Sequence, residues 1–409
     1  MSEKRRVPKL RFPGFTDDWE QRKLSDVAEI IGGGTPSTGV AEYWDGDIDW
    51  YAPAEINDQI YVDGSERKIT RLGLENSSAK ILPANKTVLF TSRAGIGKTA
   101  ILRHEGATNQ GFQSMVLDDD TNPYFVFSMS SIIKDKAERV ASGSTFAEIS
   151  GKMLGNLEFM FPSKAEQDKI GAYFSNLDHL ITLHQRELEH TKDLKKSLLQ
   201  KMFPKNGERC PKIRFPGFTD DWEQRKLETV AAFSKGNGYS KGDLITSGTP
   251  IILYGRLYTK YETTITEVDT FVDVKQGSVY SKGGEVIIPA SGETAEDIAR
   301  ASTVENAGIL LGGDLNVVTP NEGIDSAFLA LSISNGESHK ELAKKAQGKS
   351  VVHIHNAEIM ALNIAFPSKI EQSRISAYFS TLDHLITLHQ RELEHLQLLK
   401  KGLLQQMFI

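Results

Sequence analysis

The feature that most constrains this chain is a long internal repeat. Residues 8–28 (PKLRFPGFTDDWEQRKLSDVA) return at 211–231 with three changes, and residues 161–203 return with few changes at 366–408. The two segments that these copies enclose scarcely resemble each other. The repeat predicts two modules built on one frame, each with an opening motif, a variable middle and a closing segment.

The repeat also predicts where the segments begin and end. The two modules are joined by PKNGERC, a polar linker that contains proline and glycine. The predicted segments are 1–28 (first opening motif), 29–160 (first middle), 161–203 (central closing helix), 204–210 (linker), 211–231 (second opening motif), 232–365 (second middle) and 366–409 (C-terminal closing helix).

Both closing segments are predicted to be long helices. The first begins with PSKAEQ, in which Ser163 as N-cap and Glu166 three residues later form a capping box. Heptad-spaced apolar residues follow, which is typical of a coiled coil. A helix of about 40 residues is about 60 Å long. Neither helix can bury its apolar stripe alone, so we expect the two to pair antiparallel, with the middles at opposite ends. The residues predicted to make this pairing are Leu177, Ile181, Leu188, Leu198, Leu382, Ile386, Leu393 and Leu403.

Polar residues also occupy positions of this heptad seam. Lys195 and Lys400 are expected to fix the register and the pairing of the helices. His184 and His389 are interpreted as polar seam residues, because the histidines of each helix are spaced poorly for metal binding by one helical face. We therefore expect no metal site in this chain.

The two middles are predicted to be mixed α/β. Short apolar and β-branched runs flanked by Gly, Asn and Asp are typical of strands. The predicted strands are 86–90, 113–117, 249–254, 285–289 and 315–319, and the predicted helices are 124–141 and 327–346, the second broken near its middle. The expected fold class is α/β (α+β), a two-module tandem repeat in which a pair of long antiparallel coiled-coil helices separates two mixed α/β domains.

Composition limits the class of protein. The chain has 39% apolar and 25% charged residues, as ordinary globular proteins do. A single cysteine, Cys210, excludes an internal disulfide and a cysteine-based metal cluster, and it suits the cytoplasm. The first residues lack the apolar core of a secretory signal, and no run approaches the roughly 20 apolar residues that span a bilayer. We expect a cytoplasmic protein that does not enter a membrane.

Three stretches resemble catalytic motifs without matching them. TSRAGIGKT (91–99) approaches the phosphate-binding loop of nucleotide hydrolases. However, Ser92 replaces the first glycine, and the residues after Thr99 are too few for the helix that would hold the phosphate. TNPYF (121–125) lacks the second proline of an adenine methyltransferase motif, and DVK (273–275) lacks the upstream acidic residue of a nuclease. We predict that the chain catalyses no reaction by itself.

The repeated motifs resemble one protein family. They are the FPGFxxxWexxkL opening, the P-S-x-x-E-Q-x-x-I helix start at Pro162 and Pro367, and the GGGTPS…YWDGDIDWYAP run at 32–53. With them the chain resembles, over essentially its full length, the DNA-specificity subunit of Type I restriction-modification systems. The resemblance implies two target-recognition domains, each reading one half of a split site in double-stranded DNA.

The same resemblance implies partners and cofactors. Two methyltransferase subunits would dock on the repeated segments and methylate adenine with S-adenosylmethionine. Two restriction subunits would use ATP and Mg²⁺ in the full complex. No cofactor is expected to bind this chain, and the helix pair would set the length of the unread DNA spacer.

Polar residues in the loops of the middles are the candidate DNA contacts. Arginine binds guanine, and asparagine or glutamine binds adenine, through two hydrogen bonds each, whereas lysine meets phosphate. The stretch 88–101 aligns with 286–301, where GETAED replaces the Gly-Lys-Thr sequence, as expected of loops that read different bases. The candidates in the first middle are Thr35, Ser37, Tyr43, Ser92, Arg93, Lys98, Asn109, Gln110 and Gln113; those in the second are Lys235, Asn237, Tyr239, Ser240, Lys241, Tyr254, Arg256, Tyr258, Ser291, Thr294, Arg300 and Lys349.

Aromatic residues of the opening motifs are the candidate contacts for the methyltransferase. They are Phe15, Trp19, Phe218 and Trp222. Core packing is the alternative role for the two tryptophans.

The charge balance argues against tight DNA binding by the chain alone. Residues 29–160 carry 12 Lys and Arg against 18 Asp and Glu, and residues 232–365 carry 11 against 16. Since counterion release requires cations that face phosphates, the basic residues must cluster locally and partners must supply much of the phosphate contact. The alternative function is a coiled-coil adaptor whose two middles bind proteins.

Overall fold

The computed structural model describes residues 7–93, 95–141, 148–205, 208–348 and 351–409. The chain divides into two compact units, unit 1 (1–183 with 392–409) and unit 2 (184–391). Each unit therefore contains the opening motif and the middle of one module, the first part of that module's long helix, and the last part of the other module's long helix. The tandem modules were predicted from the repeat, but this sharing of the helices between the units was not.

Unit 1 is built on sheets in which most strand pairings of the described residues are antiparallel and two are parallel. Its strands are β1 (Glu20–Lys23), β2 (Ala28–Gly32), β3 (Trp44–Tyr51), β4 (Tyr61–Val62), β5 (Arg67–Ile69), β6 (Thr87–Phe90), β7 (Thr99–Leu102), β8 (Gly106–Thr108), β9 (Gln113–Leu117) and β10 (Glu158–Phe161). Its shorter helices are α1 (Arg71–Glu75), α2 (Pro123–Ser128), α3 (Ser130–Ala141) and α4 (Gly151–Gly155). A five-stranded sheet has the order β2-β9-β6-β7-β4 and a three-stranded sheet the order β5-β3-β8.

Unit 2 contains the second middle. Its strands are β11 (Glu223–Lys226), β12 (Ala231–Lys235), β13 (Thr249–Ile252), β14 (Thr264–Ile265), β15 (Phe271–Val272), β16 (Tyr280–Lys282), β17 (Glu285–Pro289), β18 (Ser291–Gly292), β19 (Ser302–Val304), β20 (Ala307–Leu311), β21 (Leu315–Pro320), β22 (Val352–His353) and β23 (Asn363–Phe366). Besides the long helices, its helices are α6 (Arg256–Thr259), α7 (Ala295–Ile298), α8 (Ser326–Ser334), α9 (Gly336–Lys345) and α10 (Asn356–Met360).

The two middles share one topology although their sequences have diverged. The order β12-β21-β17-β19-β14 repeats that of the five-stranded sheet of unit 1 strand for strand. In both sheets the last strand is parallel to its neighbour and the other pairings are antiparallel. The order β15-β13-β20 likewise matches β5-β3-β8, again with one antiparallel and one parallel pairing. The frame is therefore duplicated beyond the segments in which the repeat is visible.

The repeated ends of each module meet in a two-stranded sheet. Strand β1 of the opening motif pairs antiparallel with β10, which leads into the closing helix. Strands β11 and β23 make the same pairing in unit 2. In unit 1 both carboxylate oxygens of Glu166 accept hydrogen bonds of 2.7 Å from Arg11, and in unit 2 both oxygens of Glu371 accept equal bonds from Arg214.

This pairing corrects one sequence prediction. The closing helices α5 (Lys164–Lys201) and α11 (Lys369–Met407) begin directly after Ser163 and Ser368, as predicted. The carboxylate of Glu166, however, is buried against Arg11 and not directed at the backbone of a capping box. A buried carboxylate is better satisfied by a bidentate guanidinium than by one backbone amide.

The long helices pair antiparallel within each unit, as predicted. In unit 1, Asp178 of α5 accepts a 2.6 Å bond from Lys400 of α11, and the centroids of the Phe174 and Phe408 rings lie 6.1 Å apart. In unit 2, Lys195 bonds Asp383. In each unit, successive contacts involve higher residue numbers on α5 and lower ones on α11 or directly after it, so the two helices run in opposite directions. The two ion pairs occupy equivalent places in the repeat.

The predicted pairing leucines lie along these contacts. Leu177 and Ile181 belong to the core of unit 1, against which Leu393 and Leu403 pack. Leu382 lies in the core of unit 2, against which Leu198 packs. Leu188 is buried and Ile386 half-buried.

The predicted strands and helices of the middles are confirmed by β6, β9, β13, β17 and β21 and by the helices α2, α3, α8 and α9. The expected break in the second helical segment lies at Gly336, whose φ of +63° is a left-handed conformation that favours glycine. In the part of the chain that the structure covers, no helix is long and apolar enough to cross a bilayer.

Candidate nucleic-acid interface

In the stretch TSRAGIGKT, the described residues 91–93 and 95–98 connect the antiparallel strands β6 and β7. Strand β6 precedes it and strand β7 begins at Thr99, so the helix that a phosphate-binding loop requires is replaced by a strand. The hydroxyl of Thr91 donates to the carbonyl of Gly95 at 2.6 Å and accepts from the amide of Lys98 at 3.0 Å. The structure agrees with the sequence-based rejection of a nucleotide-binding loop.

Three segments of unit 1 meet beside this turn. The amide of Gly34 donates to the carbonyl of Thr108 at 2.8 Å, and the hydroxyl of Thr35 bonds the side chain of Gln110. The amide of Ser92 donates to the carbonyl of Gly111 at 2.8 Å. Residues 33–37, 91–93 with 95–98, and 109–111 therefore adjoin one another, and we call them the first loop surface.

The first loop surface carries most of the candidates from the first middle. Thr35, Ser37, Lys98 and Gln110 are exposed, and Arg93 is half-exposed. By sequence these segments hold Arg93 and Lys98 and no acidic residue, although the whole middle is acidic. The net positive charge that phosphates require is thus local.

Other candidates in unit 1 have structural partners. Ser92 is fully buried, with its carbonyl bonded to the amide of Ile149. The side-chain oxygen of Asn109 accepts from the amide of Gly111 at 2.7 Å, which closes the turn. This bond occupies the acceptor of the donor–acceptor pair with which an asparagine would bind adenine. Gln113 packs between Gly32 and Gly151. Gln110 Oε1 likewise accepts from the Thr35 hydroxyl, but the Gln110 side chain is exposed, so we propose it as a base-reading residue. The buried Ser92 side chain is not a proposed contact.

Tyr43 lies at a different place in unit 1. Its carbonyl accepts from the amide of Thr70 at 3.0 Å, next to α1. The adjacent Trp44 ring lies 3.7 Å below the guanidinium of Arg67, a basic residue on the exposed strand β5 that the sequence did not single out. Trp44 Nε1 donates to the carbonyl of Ser37, so this cluster borders the first loop surface.

Unit 2 brings together the equivalent segments. The amide of Asn237 donates to the carbonyl of Leu311 at 3.0 Å, and the amide of Gly313 donates to the carbonyl of Gly238 at 2.5 Å. The amide of Ala290 donates to the carbonyl of Asp314 at 2.7 Å. Residues 236–241, 290–294 and 312–314 form the second loop surface, at the ends of strands that match those of unit 1.

The side chains of the second loop surface differ from those of the first. Asn237 donates to the carbonyl of Gly277 at 2.9 Å. The Tyr239 hydroxyl bonds that of Ser278 at 2.6 Å, and Lys275 lies 4.9 Å over the Tyr239 ring. Ser240 and Lys241 are exposed. Lys275 was missed as a candidate because its short DVK context suggested only a nuclease, yet it is the cation beside Tyr239.

A polar chain links Tyr254 to His353. The rings of Tyr254 and Tyr258 lie 6.2 Å apart edge to face, and the Tyr258 hydroxyl donates to the carbonyl of Ser291 at 2.7 Å. The Ser291 hydroxyl bonds His353 Nδ1 at 3.1 Å. Burial raises the pKa of Tyr258, so this hydroxyl stays protonated and acts as a donor. Ser291 is buried, whereas Tyr254 and His353 are exposed at the surface.

Arg256 is occupied inside unit 2. Its guanidinium donates to Asp269 at 2.6 Å, to Glu262 at 2.8 Å and to the carbonyl of Glu267 at 2.8 Å. Only 8% of its side chain is exposed. We therefore do not propose Arg256 as a DNA contact.

The remaining candidates of unit 2 are distributed around its surface. Thr294 caps α7 by accepting from the amide of Asp297 at 3.0 Å. Arg300 donates to Asp297 at 2.5 Å and lines a cleft that Lys195 also lines. Lys235 is exposed at the end of β12, and Lys349 lies outside the described residues.

The aromatic residues of the opening motifs divide into two groups. Trp19 and Trp222 are each 2% exposed and pack in the cores of their units, the alternative that the sequence left open. Phe15 and Phe218 are half-exposed. Only the two phenylalanines remain available to a partner.

The family of the chain follows from comparison with known proteins. The model for the Type I restriction modification DNA specificity domain matches residues 16–192 and again residues 219–398. The chain therefore belongs to this family, with two copies of the domain. It is a specificity subunit of the Type I restriction-modification class, the DNA-recognition component of such systems.

Individual relatives agree with this assignment. The specificity subunit of the Type I restriction enzyme MjaIX of Methanocaldococcus jannaschii is 37% identical over 194 residues, which span 46% of this chain and 44% of that protein. The MjaVIII specificity subunit of the same organism is 22% identical over 97% of this chain and 92% of its own length. The crystal structure of a Type I restriction-modification S subunit from M. genitalium has the same fold, with a TM-score of 0.63 at 14% identity over 98% of this chain and 99% of that one.

Proposed function

We propose that each loop surface reads one half of a split DNA site. The observation that supports this most is that the same three segments meet in both units while their side chains differ. A shared backbone presents different donors and acceptors to the DNA, and base edges in the major groove are distinguished by such patterns. A protein reading one palindromic sequence would need no such difference.

The charges of the two surfaces assign different tasks to the residues. In unit 1, Lys98 and Arg93 face phosphate or guanine and Gln110 reads a base. In unit 2, Lys241 supplies the exposed cation, whereas Lys275 is already bonded to Asp243. Glu293 and Asp314 add negative charge to these loops. The chain alone therefore binds DNA weakly, and its partners supply much of the phosphate contact.

The partners proposed are those that the family resemblance implies. Two methyltransferase subunits use S-adenosylmethionine to methylate adenine, and two restriction subunits use ATP and Mg²⁺. The repeated opening motifs, which expose Phe15 and Phe218, offer each methyltransferase an equivalent contact. The chain contributes recognition and assembly in the cytoplasm, and no cofactor for the reaction binds to it.

A DNA footprint of the chain assembled with its methyltransferase tests this proposal. Two protected patches separated by an unread spacer are expected on DNA carrying the site. Replacing Lys98 by Ala weakens binding about equally on all sequences and lowers the salt slope by about one. The exposed Lys80, which lies outside both loop surfaces, is the matched control. A single continuous patch, or binding to proteins without any DNA footprint, would favour the adaptor function instead.

A further inference from the structure

Two histidines and a glutamate converge where the long helices meet in unit 2. His184 Nδ1 lies 3.3 Å from His389 Nδ1. Glu187 Oε2 lies 3.7 Å from His184 Nδ1 and 3.5 Å from His389 Nδ1. These are the ligand atoms of the group that could hold a metal ion among the described residues. We propose that His184, Glu187 and His389 bind one zinc ion.

The three distances fit the coordination geometry of zinc. Zinc binds imidazole nitrogen at about 2.0–2.1 Å and carboxylate oxygen at about 2.0–2.2 Å, so the ligand atoms of a tetrahedral site lie about 3.4 Å apart. The three separations here bracket that value. The point in the plane of the three atoms that is equidistant from them lies about 2.0 Å from each, so a tetrahedral ion, which sits slightly above this plane, lies about 2.1–2.2 Å from each. The site accepts the ion with little movement of the side chains.

The ligand set suits zinc and leaves one position open. Two imidazoles and one carboxylate form a borderline-soft set that favours zinc and its neighbours over Mg²⁺ or Ca²⁺. A tetrahedral ion held by three protein atoms takes water at its fourth position. The three side chains are 21%, 17% and 45% exposed for His184, His389 and Glu187, so an ion can enter from solvent.

The sequence repeat explains how the site arises. His184 and Glu187 are three residues apart on α5, which places them on one helical face. The motif HQRE returns in α11, and the antiparallel pairing brings its histidine, His389, opposite His184. The expectation of no metal considered the histidine spacing within each helix, whereas these ligands come from both.

The bound ion joins the two long helices. Without the ion, the two imidazoles contact each other directly, and one nitrogen must donate while the other accepts. With the ion, the lone pair of each nitrogen bonds to the same cation. Because the ion bonds to one residue of α11 and two of α5, its binding free energy adds to the stability of the helix pairing.

Zinc titration of the full-length chain, stripped of metal and of any polyhistidine tag, tests the proposal. Competition with a chromogenic chelator of micromolar affinity is expected to show one zinc per chain. Loss of a residue that only hydrogen-bonds a metal ligand costs about 10–100-fold in metal affinity. Loss of a ligand itself should cost at least as much. We therefore expect His184→Gln and His389→Gln each to weaken zinc binding at least about a hundredfold, and Glu187→Gln at least about tenfold. His179→Gln and His384→Gln, exposed on the same helices, are the matched controls and keep wild-type affinity.

X-ray absorption by the zinc-loaded wild-type chain gives a readout that needs no variant. Two imidazoles and a carboxylate around the ion are expected. A first shell of water and carboxylate alone would overturn the proposal. Absence of competition by the wild-type chain, or unchanged affinity in both His184→Gln and His389→Gln, would do so as well. In that case the 3.3 Å contact is a hydrogen bond between the two imidazoles.

Discussion

Replacing Arg11 by Met tests the buried ion pair that ties the opening motif to the closing helix. Glu166 has no exposed side-chain surface and Arg11 has 14%, and two hydrogen bonds of 2.7 Å join them. The hydrogen bond to Glu166 raises the pKa of Arg11, so the guanidinium is charged at every working pH. The substitution leaves a buried carboxylate without its cation.

The expected loss is large because the carboxylate is fully buried. Removing one partner of a buried pair costs about 3–5 kcal/mol. For a unit of about 200 residues, each kcal/mol lowers the melting temperature by about 2–4 °C. Arg11→Met should therefore lower the transition of unit 1 by roughly 10 °C, and Arg214→Met should do the same to unit 2 through Glu371, which is equally buried.

Scanning calorimetry and urea unfolding measure this loss. Arg22→Met is the matched control, since Arg22 lies in the same motif and makes only an exposed 3.3 Å contact with a backbone carbonyl; it should change stability by less than about 0.5 kcal/mol. Adding Glu166→Gln to Arg11→Met should recover part of the loss, because the unpaired charge disappears. A loss below about 1 kcal/mol in Arg11→Met, or a double variant no more stable than the single one, would refute the reasoning.

Three further predictions concern an ion pair between the long helices, the stability of unit 2 at acid pH and a proposed base contact. Lys400→Met should destabilise unit 1 by about 2–3 kcal/mol in urea unfolding, since Asp178 is 6% exposed; an unchanged midpoint would contradict a role for the pair. Hydrogen bonds, first that from Lys260, lower the pKa of Asp269 from 3.8 to about 2, so the stability they contribute is present above about pH 4 and is lost as the pH falls towards 2. Asp269→Asn should therefore reduce the loss of unfolding free energy of unit 2 between about pH 4 and pH 2. The reduction should be less than about 1 kcal/mol, because the carboxylate is largely exposed. An unchanged dependence of stability on pH in this range would contradict the prediction. Gln110→Ala in the assembled complex should relax the methylated motif at one base pair, by about 1–3 kcal/mol of discrimination; an unaltered motif would remove Gln110 from the interface.

The repeat made the frame of the molecule predictable. Near-identical segments at a fixed offset are expected to fold alike. A heptad pattern predicts a helix whose apolar face packs against another helix. The polar seam residues were informative for the same reason: Lys195 and Lys400 were expected to fix the pairing, and each bonds an aspartate of the other helix. Strands such as β6 and β17 were visible because they are buried, apolar and bounded by turns.

The features that escaped prediction depend on contacts distant in sequence. Strand β1 consists of polar, mostly exposed residues, so no apolar alternation marks it, and its strand conformation comes from pairing with β10. The shared topology of the middles is set by backbone pairing and burial, which dissimilar side chains can satisfy equally well.

The candidate DNA contacts that have partners inside the protein could not be recognised from the sequence, for one physical reason. Residue type shows which donors a chain has, but it does not show which of them are used internally. Arg256 meets three acceptors within unit 2, and Ser92 is enclosed by its own turn and a neighbouring segment. The closeness of His184 and His389 could not be predicted either, because spacing along one helix carries no information about a partner helix.

Exchange of residues 29–160 for the first middle of another specificity subunit tests the central claim most directly. The hybrid is assembled with the methyltransferase and the modified sites are read by methylome sequencing. The account predicts that one half of the methylated site changes to that of the donor while the other half and the spacer length persist. A site altered in both halves, or a site that the exchange leaves intact, would contradict two independent reading surfaces on one duplicated frame.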